Sequence, residues 1–543
     1  MNARRVESSG DGPAQRPVAR DVTFAPAGVR SIASGITLLG AVMRRCYGPK
    51  RSRVVVARLL DSPLLVSDGW RIAKGFESPF RVPNLGVRML QDGLENIHTR
   101  VGDGCSTAAI LLDELLQHGL RYVAAGFDTP RLCRGMERAC ATALSHIGTL
   151  AKHLEDRSTV AALLQTSGFD GDIAKLIREA FDHVGADGFI KIDESTRYKS
   201  ELVVRDGMFF QRGLVSSLLA TDTARFESHL DQPAVFVTDR TVTSHDEISG
   251  MLTHVGGVHK ALFIVAGGIE GDALTALVTT QLEGKLRVGA IKAPEYGDQR
   301  DGVLEDIAMS TGGLVCRQSV TASTPPEYVG HADAISITRD STTIVGPRRN
   351  HAQCAIRIAQ LESSLGPVLS EFDHDRFSQR IGNLRGISAE VRVGGATDVE
   401  MGEMHERCLK TLRAIRLGLR SGLVAGAGRA YVQAAATLVS LDGRDSAEQA
   451  GIDLVRRALE MPARQLLANA GTDEALTAAV ISKYHEDGDD AVYDVDRAVW
   501  KHAFSDGLVD TLHAVTEPLR VATSIATLLL NTGAVISDDL PVD

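Results

Sequence analysis

Apolar residues recur at spacings of three and four through the first 150 and the last 120 or so positions, whereas the middle of the chain alternates short apolar runs with helical patterns. The periodicity therefore predicts helical blocks at both ends around an α/β region. A short strand at Val22-Thr23-Phe24 leads into a helix carrying Val29, Ile32, Ile36, Leu39 and Val42, which Gly48 and Pro49 stop at Tyr47-Gly48-Pro49-Lys50. Val54 to Ala57 and Leu64 to Gly69 read as strands, with Asp68-Gly69 as a turn. Helices are expected at 84–100, at 106–125 with Ala108, Leu111, Leu112, Leu115 and Leu116 on one face, and from Pro130 to about Leu154. A helical segment through Ile173 to Ile177 gives way to a strand-like run from Gly188 to Ile192. Ala234 to Val237, Ala261 to Val265 and Val288 to Ile291 are further strand-like runs with helices between them. Residues 350–421 read as helix interrupted by a strand at Ala389 to Val393, and 422–543 as helix again.

With 543 residues the chain exceeds one core and suggests about three to four domains. A composition of 44% hydrophobic and 24% charged residues is that of a globular protein, and a net charge of −10 argues against a general nucleic-acid binder. The seven cysteines form no Cys-x-x-Cys pair and the 16 histidines no His-Glu-x-x-His pattern, which favours reduced thiols over disulfides or zinc. No window approaches the roughly 20 apolar residues of a spanning helix, so a soluble, cytoplasmic protein without a membrane partner is expected. Residues 1–20 are rich in Arg, Ser, Gly and Pro and lack an apolar core, which predicts a disordered tail in place of a secretory signal. Glu7 and Asp11 interrupt any transit-peptide pattern.

The candidate chemistry centres on Gly102-Asp103-Gly104-Cys105-Ser106-Thr107. Glycines around an aspartate allow a left-handed turn and close backbone approach, Ser106 and Thr107 stand where a helix begins, and Asp103 could hold a magnesium ion against phosphates. The same residues also describe an ordinary turn with a helix N-cap. Gly48-Pro49-Lys50, Asp68-Gly69, the run Gly422 to Gly428, and Asp506-Gly507-Leu508-Val509-Asp510 are further turn-like elements far apart in the chain. Neither a full dinucleotide fingerprint nor a Gly-x-x-x-x-Gly-Lys-Ser/Thr loop is present.

Taken in order, these elements resemble the group I chaperonins, the GroEL-type 60 kDa family, from Asp21 to Pro541. Tyr47-Gly48-Pro49-Lys50 is similar to the family's Leu-Gly-Pro-Lys, Ser67-Asp68-Gly69 to Lys-Asp-Gly, and the 102–107 cradle to Gly-Asp-Gly-Thr-Thr-Thr. Lys292-Ala293-Pro294 with Gly297-Asp298, Asp340 with Thr342-Thr343-Ile344, Val393 to Thr397, and Gly422 to Gly428 extend the match. The resemblance implies a mainly α chaperonin fold with an α/β insertion. Its domains would be an equatorial domain at 21–149 and 422–543, an intermediate domain at 150–205 and 389–421, and an apical α/β domain at 206–388.

It further implies an ATP and Mg2+ site. Asp103 would be the metal ligand, with Gly104, Cys105, Ser106 and Thr107 around the phosphates. Tyr47, Gly48, Pro49 and Ser67 would lie close by, Asp68 near the γ-phosphate, Gly426 by the ribose, and Asp494, Leu508 and Asp510 along the adenosine side. A polypeptide-binding groove would comprise Leu214, Leu218, Leu219, Ser249, Leu252, Leu274, Val278 and Thr279. Implied partners are non-native polypeptides, a lid-type co-chaperonin, and identical subunits in stacked rings.

Departures are informative. The family's water-positioning aspartate lies twelve residues before the first glycine of its Gly-Val-Val-Ala-Gly-Gly-Gly stretch, and here that position is Lys410. An ammonium group is neither a base at neutral pH nor a magnesium ligand. Alternatively, Glu406 one turn earlier supplies the carboxylate. Ser67, Cys105, Arg51 and Ala427 replace a lysine, a threonine and two glycines of the family pattern. Two functions therefore stay open: an ATP-driven folding chamber, or an ATP-binding holdase with little hydrolysis.

Overall fold

The computed structural model describes residues 20–57, 64–66, 68–169, 171–185, 189–195, 197–222, 226–256, 259–295, 297–318, 326–346, 351–364, 371–486 and 490–538. Ser67 and the tail expected at 1–20 lie outside these, except Arg20, which opens a strand. The chain forms two compact units, one from Met1–Leu154 with Leu417–Asp543 and one from Glu155–Arg416.

In the first unit, helices Ala27–Arg45, Arg81–Arg100, Cys105–Ala124, Thr129–Leu150, Ser446–Asn469 and Leu512–Leu530 enclose one continuous core. Val29, Ile32, Ile36, Leu39 and Met43 are buried at the spacing that lines one face of a helix. Cys105–Ala124 runs through the middle, against Ala27–Arg45, Ser446–Asn469 and Leu512–Leu530. It buries even Asp113, whose carboxylate accepts from Arg44 at 2.6 Å and from the Thr37 hydroxyl at 2.8 Å, and Glu114, paired with Arg457 at 3.3 Å. Burial of these acids is tolerable because each is paired.

Residues 422–543, expected to be helical, also contain strands. Leu423–Ala425 pairs with Val509–Thr511, Ala491–Asp494 with Val499–His502, and Ala534–Asp538 with Arg20–Phe24. Asp68-Gly69 is not a turn between strands. Asp68 is the N-cap of helix Gly69–Lys74, its carboxylate accepting the Arg71 N–H at 2.9 Å.

The second unit contains the expected α/β pattern. Arg287–Lys292, Ala261–Ala266, Ala234–Thr238 and Val315–Cys316 are neighbours in a parallel sheet, extended by Val329–His331 antiparallel to Ala234–Thr238. Ala234–Thr238 and Ala261–Ala266 are buried at every position, as strands covered on both faces must be. An antiparallel sheet of Met208–Phe210, Thr342–Val345, Ala334–Ile337 and Ser228–Asp231 stands beside it. Ile387–Val393 is the centre of a third sheet, parallel to Phe189–Glu194 and antiparallel to Glu201–Asp206. Helix Asp398–Ser421, which carries Lys410, runs across the boundary between the units.

Candidate functional site

The start of helix Cys105–Ala124 follows from its glycines. Gly102 and Gly104 have φ of 79° and 96°, and Gly104 occupies the N-cap position without a side chain to cap the helix. The Asp103 carboxylate accepts the Gly104 N–H at 2.8 Å. A Cβ on Gly104 would stand 2.6 Å from Pro518 Cγ, so glycine is also what lets the loop pack on helix Leu512–Leu530. Next to it, a Cβ on Gly69 would stand 2.6 Å from Ser106 Oγ and 3.3 Å from Ser106 N. The N-termini of helices Gly69–Lys74 and Cys105–Ala124 therefore meet, and both present their positive ends.

The loop after helix Ala27–Arg45 closes over this point. Asn469 Nδ2 donates to the carbonyls of Arg44 and Tyr47 at 2.7 and 2.9 Å, and the Ser52 N–H donates to Arg45 O at 2.9 Å. Gly48, at φ 85°, lies against Leu466. Burial, then the charge of Asp510, hold the Tyr47 phenol above its usual range, with Thr107 acting in the opposite sense. Asp510, on the strand paired with Leu423–Ala425, is pushed up to about 7 by burial and then by Asp103. Asp103 is exposed at the rim, yet the protein around it still desolvates its carboxyl and raises its pKa, opposed by the Gly104 N–H and by Arg51.

On the far side, the Gly426 N–H donates to Leu508 O at 2.9 Å. Ala427 takes φ 54°, the left-handed conformation that glycine adopts more cheaply, at a cost of about 1 kcal/mol. Asp494 lies apart from the two acids in its bonding. Its carboxylate takes Lys501 Nζ at 2.6 Å and the N–H groups of Asp496 and Arg497 at 3.0 and 3.2 Å. Burial opposes its ionisation, but these partners win and lower its pKa. Cys105 points inward: its thiol donates to Leu94 O at 3.6 Å, and burial, then Asp103, push it up to about 12. Only its backbone faces the loop end of the helix. Pro49 and Ser106 are exposed and half-buried, respectively.

A residue not anticipated is Arg429, fully buried immediately after the Gly426-Ala427-Gly428 turn. It donates to Ala491 O at 2.7 Å and Glu486 O at 3.1 Å and lies over the Tyr484 ring at 5.5 Å. The signal available in the sequence was an arginine in the first turn of a helix whose other residues are mostly small or apolar. Lys410 is half-buried within helix Asp398–Ser421, and Glu406 on the same helix is exposed.

In the second unit, helices His245–Gly256 and Gly271–Leu282 pack together over a core that includes Phe236, Ile248, Ile264 and Leu277. Leu214, Leu252, Leu274 and Val278 are half-buried on that core, and Leu218 is 60% exposed. Leu219 is fully buried and supports the face from beneath instead of lining it. Ser249 and Thr279 turn their hydroxyls back to the carbonyls of Asp246 and Thr275 at 3.3 and 2.9 Å. Leu282, 75% exposed and one turn beyond Val278, continues the strip at i+4 spacing.

Among the described residues no helix is long and apolar enough to cross a membrane, and no group of three or more His, Cys, Asp or Glu could by itself hold a metal ion. The fold resembles a solved structure, the chaperonin gp146 from the bacteriophage EL 2 (Pseudomonas aeruginosa) in presence of ATP-BeFx. The match has a TM-score of 0.61 at 16% sequence identity and covers 96% of this chain and 99% of that one. The sequence pattern of the TCP-1/cpn60 chaperonin family matches residues 39–539, nearly the whole chain. With the mainly α fold, its α/β region and the match along both ends, the chain belongs to the TCP-1/cpn60 chaperonin family, as a divergent member.

Proposed function

We propose that this protein is a chaperonin subunit that binds ATP with Mg2+ at the start of helix Cys105–Ala124, captures non-native polypeptides on the Leu252, Leu274 and Val278 face, and works in a ring of identical subunits. One observation carries the nucleotide reading: Tyr47, Asp103, Thr107 and Asp510, from three distant stretches of chain, act on one another beside a helix N-terminus without a side-chain cap. The donor set fits the ligand. Two carboxylates whose ionisation is opposed by burial favour a dication, and free helix N–H groups favour phosphate oxygens. Magnesium bound there would neutralise phosphate charge, with Asp103 as its protein ligand.

Ring assembly is supported by two exposed two-stranded ribbons. Val22, Phe24 and Ile536 are exposed on the ribbon of Arg20–Phe24 with Ala534–Asp538, where Val22 and Ile536 are directly opposite. Val55 is exposed on the ribbon of Val54–Val56 with Leu64–Val66. Open edges with apolar side chains favour pairing with another chain.

Turnover is the weak step of this reading. Lys410 matches the family's water-positioning aspartate, and loss of a positioned general base costs about 10²- to 10⁴-fold in rate. That residue favours the second reading, a holdase that binds ATP and clients but barely hydrolyses. A lid-type co-chaperonin would enclose the client under the folding reading and is unnecessary under the holdase reading. Calorimetry with ATP in the presence and absence of Mg2+, beside steady-state phosphate release, tests the proposal. Magnesium-dependent binding with slow release is expected. Absence of any binding heat with Mg2+ present would overturn it.

A further inference from the structure

Beside the parallel sheet of the second unit two histidines meet ring to ring. His331 ends strand Val329–His331, where it pairs with Ala234, and His259 lies just before strand Ala261–Ala266. These strands flank Ala234–Thr238 on its two sides, so the contact reaches across the start of that strand. Both backbones are fixed. The His259 N–H donates to Val255 O at 2.7 Å, Lys260 O accepts the Arg287 N–H at 3.0 Å, and His331 is held in register opposite Ala234. The two Nε2 atoms stand 3.3 Å apart, the ring centroids 4.9 Å apart, and the ring planes are inclined at 51°. Both residues are half-buried, so solvent reaches the pair.

As a hydrogen bond between imidazoles, 3.3 Å is long beside the usual distance of about 2.9–3.0 Å for an N–H donor. As the edge of a metal site it is the right length: two nitrogens each about 2.0–2.1 Å from a tetrahedral zinc are about 3.3 Å apart, with their ring centroids about 5 Å apart. We propose that His259 and His331 form a binding site for a zinc-class dication, each ring giving its Nε2 lone pair. Imidazole suits such ions, whereas magnesium and calcium take oxygen ligands. Each neutral ring then carries its proton on Nδ1, so the ring that donates from Nε2 without metal changes tautomer and the pair loses no proton. Among the described residues no third His, Cys, Asp or Glu completes the set, so the site is open and water fills its remaining positions. The two ligands lie 72 residues apart, which is why no motif spacing announces them. Bound metal would tie together the strands on either side of Ala234–Thr238. The inference is independent of the nucleotide reading.

The test is Zn2+ binding to the full-length protein by calorimetry, with excess Mg2+ present to occupy oxygen-ligand sites, for wild type, His259→Gln and His331→Gln. Wild type should bind a Zn2+ ion that each variant binds at least about tenfold more weakly, since even outer-shell partners of a metal contribute that much. Zn2+ in excess should also raise the melting temperature of wild type by mass action, and that of the variants less. A third measurement needs no variant to fold: in wild type, Zn2+ should shield His259 and His331 from acylation by diethyl pyrocarbonate, read peptide by peptide by mass spectrometry. Absence of Zn2+ binding by wild type, unchanged Zn2+ affinity in either variant, or acylation of the pair undiminished by Zn2+ would overturn the proposal and leave the two rings joined by a long hydrogen bond alone.

Discussion

The start of helix Cys105–Ala124 and the face of helices His245–Gly256 and Gly271–Leu282 are built in opposite ways. The first draws Tyr47, Asp68, Asp103 and Asp510 from separate stretches and holds them by left-handed glycines, capping bonds and buried charge. The second takes most of its apolar residues from two neighbouring helices and leaves them half-buried over a core. Polar recognition depends on atomic placement, since a misplaced charge is costly in a desolvated site. Apolar capture depends on area and tolerates exchange among aliphatic side chains.

The contrast is broken most forcefully at Asp103. Asp103→Ala should weaken magnesium-dependent nucleotide binding by at least about 100-fold, the upper range for disturbing even an outer-shell group, while suppression of client aggregation without nucleotide stays as in wild type. Calorimetry and light scattering of an unfolded client read the two effects separately.

Leu252→Ser combined with Leu274→Ser makes the complementary cut. Loss of about 1 kcal/mol at each half-buried leucine should weaken client binding by roughly 30-fold and leave nucleotide affinity unchanged. A double variant that still protects the client as well as wild type would remove these helices from the binding role.

A smaller effect is expected at Lys410. Lys410→Asp should raise steady-state phosphate release by at least about tenfold, a modest share of a general-base contribution. An unchanged rate would place the hydrolytic carboxylate elsewhere, with Glu406 as the next residue to replace.

Smallest is a pH effect at the acid pair. Asp510 titrates near 7 in the folded protein, above the ordinary aspartate value of 3.8, so between these values the folded state binds more protons than the unfolded state. Stability of the ligand-free protein should therefore fall as pH rises from about 4 through 7 and then level off, with Asp103 and Asp510 titrating as a pair. Asp510→Asn should raise the melting temperature at pH 8 by a few degrees and make it less dependent on pH. Thermal melts at pH 5 and pH 8 measure both.

Much of the fold was legible because periodicity reports burial directly. The helix through Val29, Ile32, Ile36 and Leu39 and the fully buried strands Ala234–Thr238 and Ala261–Ala266 follow from local pattern. The short ribbons of residues 422–543 were not legible. Each is three to five residues long, and Ala534–Asp538 finds its partner at the opposite end of the chain. Asp68-Gly69 carries a turn signature that serves equally for a helix cap, and only the helix after it decides between them.

At the candidate site the division is similar. The residue types and their order along the chain, with Asp103 between two glycines and a lysine at 410, are properties of the sequence alone. Left-handed turns at Gly102 and Gly104 follow from the same residues, because backbone sterics are local. Tertiary structure decided which charges were already used. Asp494 is consumed by Lys501 and two backbone N–H groups, Leu219 is sealed into the core, and Arg429 is buried against carbonyls and the Tyr484 ring. It also raised the pKa of Asp510 to about 7 through burial and the charge of Asp103. Desolvation and pairing depend on atoms brought from tens to hundreds of residues away, and no spacing along the chain encodes their approach.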